Sequence, residues 1–394
     1  MSKKRIKVLF ISSWFPNRIK PTLGNFVEKH AESVSSFVDV AILHVCFDNN
    51  IKTKKAEIIE SIEKNIPRTI IYVKPPSGIF SGIRKIFLFT KYYKIGFKLI
   101  TKVSGTPDII HANVFFPIGI IAMMFKRKFH IPFVITEHWT GYHEADPNQI
   151  GFFNKYISKK TAYHASRILP VSNNLGMAMQ KTGLKGNYLV VPNVVDTNLF
   201  QPKPQNTEEN ITKKIVHISS LDDKQKNVSG IMNTISELSR QRNDFELHII
   251  SDGDSTQLVD LCKSLNLLND KVFFHGKMES DEIADFMKDA AFLLLFSNYE
   301  NLPCVIAEAF AAGVPVLSTE VGGINEFFND KLGILIKAGD KIALQNAMNT
   351  MLDKHIEFDK NHLHSYANEN FSYQVIGEKL FNIYTETLKE TQIG

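Results

Sequence analysis

The chain has 394 residues, of which 44% are hydrophobic, 11% aromatic and 22% charged. This is well beyond the ~100–200 residues of one domain and ordinary for soluble globular protein, so a small binding module, a disordered chain, a collagen and a coiled coil are all excluded. The net charge of +5 conceals an imbalance: residues 1–190 carry 28 lysines and arginines against 11 aspartates and glutamates, whereas residues 191–394 carry 18 against 30.

Met1 to Arg5 run directly into a predicted strand instead of an apolar leader. No stretch approaches the ~18–20 apolar residues of a membrane span, which predicts a cytoplasmic protein. Predicted strands of the first half are Ile6–Ser12, Val38–Val45, Thr69–Val73, Ile109–Ala112, Phe133–Thr136, Arg167–Val171 and Tyr188–Val191, with helices between them. The clearest helix is Asn25–Phe37, where Phe26, Val27, His30, Ala31, Val34 and Phe37 recur at helical spacing behind an Asn suited to cap the first turn. The three cysteines, Cys46, Cys262 and Cys304, are far apart and form no CxxC pair, so they read as buried thiols and not as a zinc or disulfide framework.

Between Glu63 and Asp108 there is no acidic residue, yet Lys64, Arg68, Lys74, Arg84, Lys85, Lys91, Lys94, Lys98 and Lys102 all occur there. Interleaved with them are Ile79, Phe80, Ile83, Ile86, Phe87, Tyr92, Ile95, Phe97, Leu99 and Ile100. This mixture predicts a helix over about 85–103 lying on anionic lipid, with Lys91, Lys94 and Lys98 on the membrane and acceptor side. The competing reading places the apolar residues in the core and leaves the lysines simply solvated. Nucleic acid is not expected as a partner, because no aromatic RNA-binding motif, helix-turn-helix signal or zinc knuckle accompanies the charge.

Gln201 to Asn210 contains two prolines and no apolar residue, the composition of a linker. Strand and helix then alternate afresh, with predicted strands at Ile215–Ser219, Glu246–Ser251, Val272–His275, Phe292–Phe296, Val314–Ser318 and Gly333–Ile336. A final helix is predicted over Tyr373–Leu388. The pattern is α/β with parallel sheets covered by helices: a first domain over 1–200, onto which a helix at about 374–394 packs back, and a second over 201–373. Two doubly wound domains of this kind face each other across a cleft, with ligands expected at the carboxyl ends of the strands.

Several residues fall where chemistry is expected. No G-x-G-x-x-G follows the first strand, which argues against a nicotinamide enzyme. Gly24, at the start of the first helix, would let backbone approach a ligand, although an ordinary loop glycine reads the same way. Thr136-Glu137-His138-Trp139 ends an apolar strand at the sheet's carboxyl edge, and His111 is a weaker case of the same placement. Glu300 and Glu308 are eight apart and bracket a helix predicted to begin near Leu302. Amides at such a helix start suit phosphate, and carboxylates suit sugar hydroxyls; the plain alternative is that Glu300 caps the helix and Glu308 is solvated. Lys226 follows the first strand of the second half, where it could neutralise a diphosphate. Asp252-Gly253-Asp254 has the form of a metal-binding D-x-D, but no further carboxylate or histidine cluster completes a hard-cation site.

Together these segments resemble the retaining glycosyltransferases of family 4, which have the GT-B architecture, along essentially the whole chain. The most specific feature is the E-x7-E element from Glu300 to Glu308, continued by Ala309 to Val316 and by Gly322-Gly323 and Glu326. Val191–Asp196 is similar to the family's domain junction, Val272–Gly276 to its strand before the donor site, and Thr136–His138 to its histidine motif. The resemblance implies transfer of a hexosyl or N-acetylhexosaminyl group from a nucleotide-diphosphate sugar to a lipid-linked or glycan acceptor, in cell-surface glycan synthesis, with no cofactor and no metal. It further implies that Glu308 holds the ribose, Glu300 and the amides of Asn301 and Leu302 the sugar, and Lys226 with Asn227 the diphosphate. His138 would stand beside the sugar and phosphate, and Gly24 in the loop that closes over them.

The chain departs from that family in carrying Ser219-Ser220-Leu221 where Gly-Arg-Leu is usual, Val194 where a glycine is expected, and Pro303 where glycine is frequent. The first removes a phosphate-binding arginine, for which Lys224 is a less directional substitute. A nucleotide-sugar 2-epimerase of the same fold and a non-catalytic glycan-binding subunit remain alternatives.

Overall fold

A computed structural model describes residues 5–52, 54–78, 80–203 and 212–393. It divides into two compact units, one holding everything described up to Tyr142 together with Asn148–Val194 and the chain from Tyr373 onward, the other holding His143–Pro147 and Val195–Ser372.

The first unit runs β1 (Lys7–Ser12), α1 (Asn25–Ser35), β2 (Asp39–Phe47), β3 (Ala56–Glu63), β4 (Ile66–Val73), α2 (Ser81–Ser104), β5 (Ile109–Asn113), α3 (Ile118–Phe129), β6 (Phe133–Glu137), α4 (Phe152–His164), β7 (Arg167–Pro170) and α5 (Asn173–Lys181). Its sheet has the order β3-β4-β2-β1-β5-β6-β7, with every pairing parallel except that of β3 with β4. That antiparallel edge was not expected. Ala56–Glu63 exposes most of its residues and lacks an apolar run, while Lys64 and Asn65, both at positive φ, make the tight turn that pairs it with β4. Tyr188–Val191, read as a strand, runs beside β7 through an isolated bridge from Tyr188 to Ile168 and backbone hydrogen bonds from Leu189 to Ile168 at 2.9 Å and from Val191 to Pro170 at 3.0 Å, without forming a full strand.

The second unit runs β8 (Lys213–Ile218), α6 (Asp223–Lys226), α7 (Val228–Leu238), β9 (Phe245–Ile250), α8 (Thr256–Ser264), β10 (Val272–His275), α9 (Ser280–Met287), β11 (Ala290–Leu294), α10 (Cys304–Ala311), β12 (Val316–Thr319), β13 (Gly333–Ile336), α11 (Lys341–Lys354) and α12 (Lys360–Phe371). Its sheet, ordered β10-β9-β8-β11-β12-β13, is parallel throughout. The last helix, α13 (Tyr373–Ile393), belongs to the first unit. There it lies on α1 through Ile376, Leu380 and Tyr384, packed with Val27 and Val34, and Tyr373 donates to Glu32 at 2.9 Å. The boundary thus falls after Val194, with Val195–Phe200 in the second unit; most of the expected linker, residues 204–210, lies outside the described residues.

Helix α2 resolves the mixed reading of the basic stretch. Phe89, Tyr92, Tyr93, Gly96, Phe97 and Ile100 are buried, and a side chain on Gly96 would collide with Leu43, so this face is core against β2. The opposite face exposes Lys91, Lys94 and Lys98. Tyr92, Phe97 and Ile100 are therefore not available to lipid, and Ile79 lies outside the described residues. Among the described residues no helix is long and apolar enough to cross a membrane.

Each unit buries a neutral histidine in its central strands. His44 Nδ1 is 2.8 Å from the Ser12 carbonyl, and His217 Nδ1 is 2.8 Å from that of Leu294; burial pulls both imidazoles down to about 4. A folded-state value below the unfolded one means that the unfolded chain binds the proton first. Stability is then intact above about pH 6.5 and falls as pH drops toward 4, with roughly 3 kcal/mol at stake for each ring. Urea unfolding followed between pH 7 and 4 should show this slope, and His44→Gln should lessen it by one ring's share, since His30, His111 and His138 are also buried with lowered values in the first unit.

Candidate functional site

In the second unit the predicted carboxylate pair stands at the mouth of α10. The helix begins at Cys304, with Pro303 as the extended N-cap residue and no side-chain cap, so Glu300 is not the cap. Glu300 is 5% exposed and is held from three sides. Lys226 Nζ makes an ion pair with its Oε1, the Ser297 hydroxyl donates to the same oxygen at 2.9 Å, and Gln225 Nε2 donates to Oε2 at 3.3 Å.

The loop beneath is fixed from behind. Thr319 donates to the Ser297 carbonyl at 2.7 Å and the Gly323 amide to that of Asn301 at 2.8 Å. Gly322 has a φ of +61°, and a Cβ there would strike the Glu300 and Asn301 carbonyls, so only glycine fits. Asn301 and Leu302 are buried beside it, while Glu308 lies on the second turn of α10, partly exposed.

Lys226 ends the short α6, and Asn227 follows at a φ of +50°, joining α6 to α7. Asn227 also packs its amide over Gly230. Its left-handed backbone, which Asn tolerates better than most residues, orients Lys226 toward Glu300. The substituted positions nearby have local partners. The Ser219 hydroxyl accepts from the Leu221 amide at 3.2 Å and sits 2.8 Å from His217 Nε2, and Lys224 is exposed. Asp254 accepts from the Thr256 amide at 2.9 Å and its hydroxyl at 2.6 Å, the work of a helix-start carboxylate. Among the described residues no group of three or more His, Cys, Asp or Glu is placed to hold a metal ion.

The residues that sequence reasoning missed here are Ser297, Gln225 and His143. The first two are uncharged and gain meaning only from facing Glu300. His143 precedes the linker by some sixty residues of chain, yet the segment His143–Pro147 clusters with the second unit, and His143 Nε2 lies 2.6 Å from Asn301 Oδ1. No local pattern in the sequence announces that contact.

In the first unit, His138 follows β6 directly. Its ring stacks on Phe26 at 4.0 Å between centroids and faces His30 at 5.6 Å. Burial holds the imidazole well below the ordinary histidine range, and His30 and His111 add to the effect, so the ring is neutral near pH 7. Glu137, fully buried, accepts from the amides of Phe115 at 3.0 Å, His138 at 2.8 Å and Trp139 at 2.9 Å. Burial pushes its carboxyl up while these amides pull it down.

Gly24 is the N-cap residue of α1 at a φ of +77°, and Asn25 is already the first helical residue, without a side-chain cap. A Cβ at Gly24 would meet the Trp14 carbonyl and the Phe15 amide, so the glycine is required by packing within the loop. Phe26, two residues on, brings this helix start against His138. His111, between Tyr384 and Thr136 at 2.6 Å each, serves to anchor α13.

Two family models match adjoining stretches of the chain: Glycosyltransferase Family 4 over residues 45–199 and Glycosyl transferases group 1 over residues 212–354. A putative teichuronic acid biosynthesis glycosyltransferase of Bacillus subtilis is 25% identical over 369 residues, covering 87% of this chain and 88% of its own. An uncharacterized glycosyltransferase of Methanocaldococcus jannaschii is 25% identical over 302 residues, covering 77% and 78%. Among solved structures, a sucrose-phosphate synthase from Thermosynechococcus elongatus is similar with a TM-score of 0.77 at 18% identity, covering 98% of this chain and all of its own. Anabaena HepE in complex with UDP and glucose is similar with a TM-score of 0.73 at 16% identity, covering 97% of this chain and 100% of its own. The two sheets, parallel apart from the β3 edge, and these neighbours define a GT-B fold. With the family matches, they make this chain a glycosyltransferase of that architecture.

The Lys226 and Glu300 side chains are 14% and 6% exposed, a pairing in which loss of one partner strands the other. Lys226→Met should lower stability by roughly 3 kcal/mol, and adding Glu300→Gln should recover more than half of the loss. Chemical denaturation of the two single variants and the double variant measures this coupling.

Proposed function

We propose that the chain is a retaining, metal-independent member of glycosyltransferase family 4 that moves a hexosyl or N-acetylhexosaminyl group from a nucleotide-diphosphate sugar to a lipid-linked or glycan acceptor in cell-surface glycan synthesis. The observation that carries this reading is the buried Glu300 paired with Lys226 before the N-terminus of α10. A diphosphate entering there competes for Lys226, and each phosphate oxygen that takes the lysine frees Glu300 to accept from sugar hydroxyls. Lys226 and the first amides of α10 then stabilise charge growing on the departing diphosphate, the part that a metal plays in other transferases. Asn301 and Leu302 carry the sugar's remaining contacts, Glu308 the ribose, and Asn227 the orientation of the lysine.

On the acceptor side, His138 would act as a neutral ring beside the sugar, and Gly24 would hold the loop that covers it. The name of the Bacillus relative supports a surface polymer as product. The exposed Lys91, Lys94 and Lys98 support an anionic membrane as the surface where the acceptor is met, with the protein peripheral on the cytoplasmic face.

Thermal shift against a panel of nucleotide-diphosphate sugars in the presence of chelator tests donor and metal independence together, with one donor expected to stabilise selectively. Glu308→Ala should weaken that stabilisation by roughly tenfold in affinity. Glu300→Gln should keep the nucleotide and lose transfer by a factor of roughly a hundred or more; unchanged turnover in either variant removes the assignment. Release of a 2-epimer without acceptor would instead identify an epimerase. Replacing Lys91, Lys94 and Lys98 by Glu should release the protein from anionic vesicles in a sedimentation assay.

A further inference from the structure

We infer that the first unit enters the bilayer by an aromatic rim at the carboxyl edge of its sheet, built from the N-terminal turns of α2 and α4; this rests on the reading that the chain meets an anionic membrane. Helices α2, α3 and α4 form one layer. Phe97 of α2 stacks on Phe125 and Phe129 of α3 at 4.6 and 4.5 Å, and the outer end of the layer is closed by α3 against α4. Each of these helices joins parallel strands, so each runs back against them and starts at the carboxyl edge.

Both helices expose apolar side chains at that edge, although Val103 and Tyr163 are exposed near their far ends as well. On α2, Phe80, Ile83 and Phe87 are 67%, 72% and 68% exposed, and on α4 Phe152, Phe153 and Tyr156 are 90%, 54% and 50% exposed. Phe153 also meets Phe116, in the turn after β5, edge to face at 6.2 Å, which fixes the start of α4 at the same edge. On α2 the spacing continues from Phe80, Ile83 and Phe87 to Lys91, Lys94 and Lys98, all on one side of a 3.6-residue helix. The stripe changes from apolar to cationic along its length. Helix α4 repeats the arrangement, with Lys159 and Lys160 exposed beyond its aromatic first turns.

Charge selects the occupant. The three helices together carry twelve lysines and arginines and not one aspartate or glutamate. A protein partner would need an unbroken acidic face, whereas anionic headgroups over acyl chains match both the cations and the aromatic tips, the former at headgroup depth and the latter below. The sequence hinted at α2 alone and did not single out α4. His138 and Trp139 follow β6 at this same edge, so the rim brings the bilayer to the strand ends where an acceptor on a lipid would be received.

The test uses the full chain and vesicles of phosphatidylcholine with about one-third phosphatidylglycerol. For Phe152→Ser, and separately Ile83→Ser with Phe87→Ser, the lipid concentration for half-binding should rise roughly tenfold or more, with the thermal midpoint unchanged because these side chains are exposed. Wild-type binding should also raise surface pressure in a lipid monolayer, and the rim variants should not. Rim variants that bind vesicles like wild type, while the Lys91, Lys94 and Lys98 substitutions abolish binding, would overturn the rim and leave the membrane reading standing. Absence of wild-type binding would overturn both and leave the donor panel unaffected. Self-association of the wild type in lipid-free sedimentation, lost in the rim variants, would assign the rim to a second copy of the chain and overturn insertion.

Discussion

The second unit is organised around one buried ion pair. Glu300 needs a cation because its carboxylate is nearly sealed from water, and Lys226 supplies it from a different strand-to-helix connection. The pair ties the connection after β8 to the loop after β11, two strands that are neighbours in the sheet. Such a pairing contributes little net stability, because desolvating both charges consumes most of the attraction. What it confers is position: Ser297, Gln225 and the glycine turn at Gly322 leave the carboxylate a single orientation beside the first amides of α10.

The first unit uses a lone charge in a different way. Glu137 has no cation among its described hydrogen-bond partners; three backbone amides converge on it. These amides belong to the turn after β5 and to the segment after β6, so one carboxylate sets the backbone on which His138 is carried. The imidazole itself is kept neutral by burial among Phe26 and two further histidines. The cations of the first half concentrate instead on α2, α3 and α4, which carry no acidic residue.

Strand positions were largely legible, because buried parallel strands are continuous apolar runs, although Tyr188–Val191 has the same look without being a full strand. Among the described residues, twelve of thirteen strands coincide with such runs. The exception, Ala56–Glu63, is an exposed edge strand whose existence depends on its turn with β4 and not on its own composition. Glu300, Glu308 and Lys226 were legible as residue types at informative places, whereas Ser297 and Gln225 were not, since a serine and a glutamine are unremarkable until something charged faces them. The cap of α1 was misread for the same reason: Asn25 has a capping side chain, but the loop packs Gly24 against the Trp14 carbonyl and the helix begins one residue earlier than that cap would set.

By itself the sequence determined the fold class, the division of charge between the two halves, and the placement of acidic and basic residues at strand ends, because period, composition and order along the chain are local quantities. Tertiary structure alone decided which of those residues touch. It turned one face of α2 into core and left the other to solvent, carried His143 across to Asn301, and set Lys226 on Glu300. Each of these outcomes depends on desolvation and close packing between segments far apart in the chain, and neither quantity can be read from neighbours in sequence.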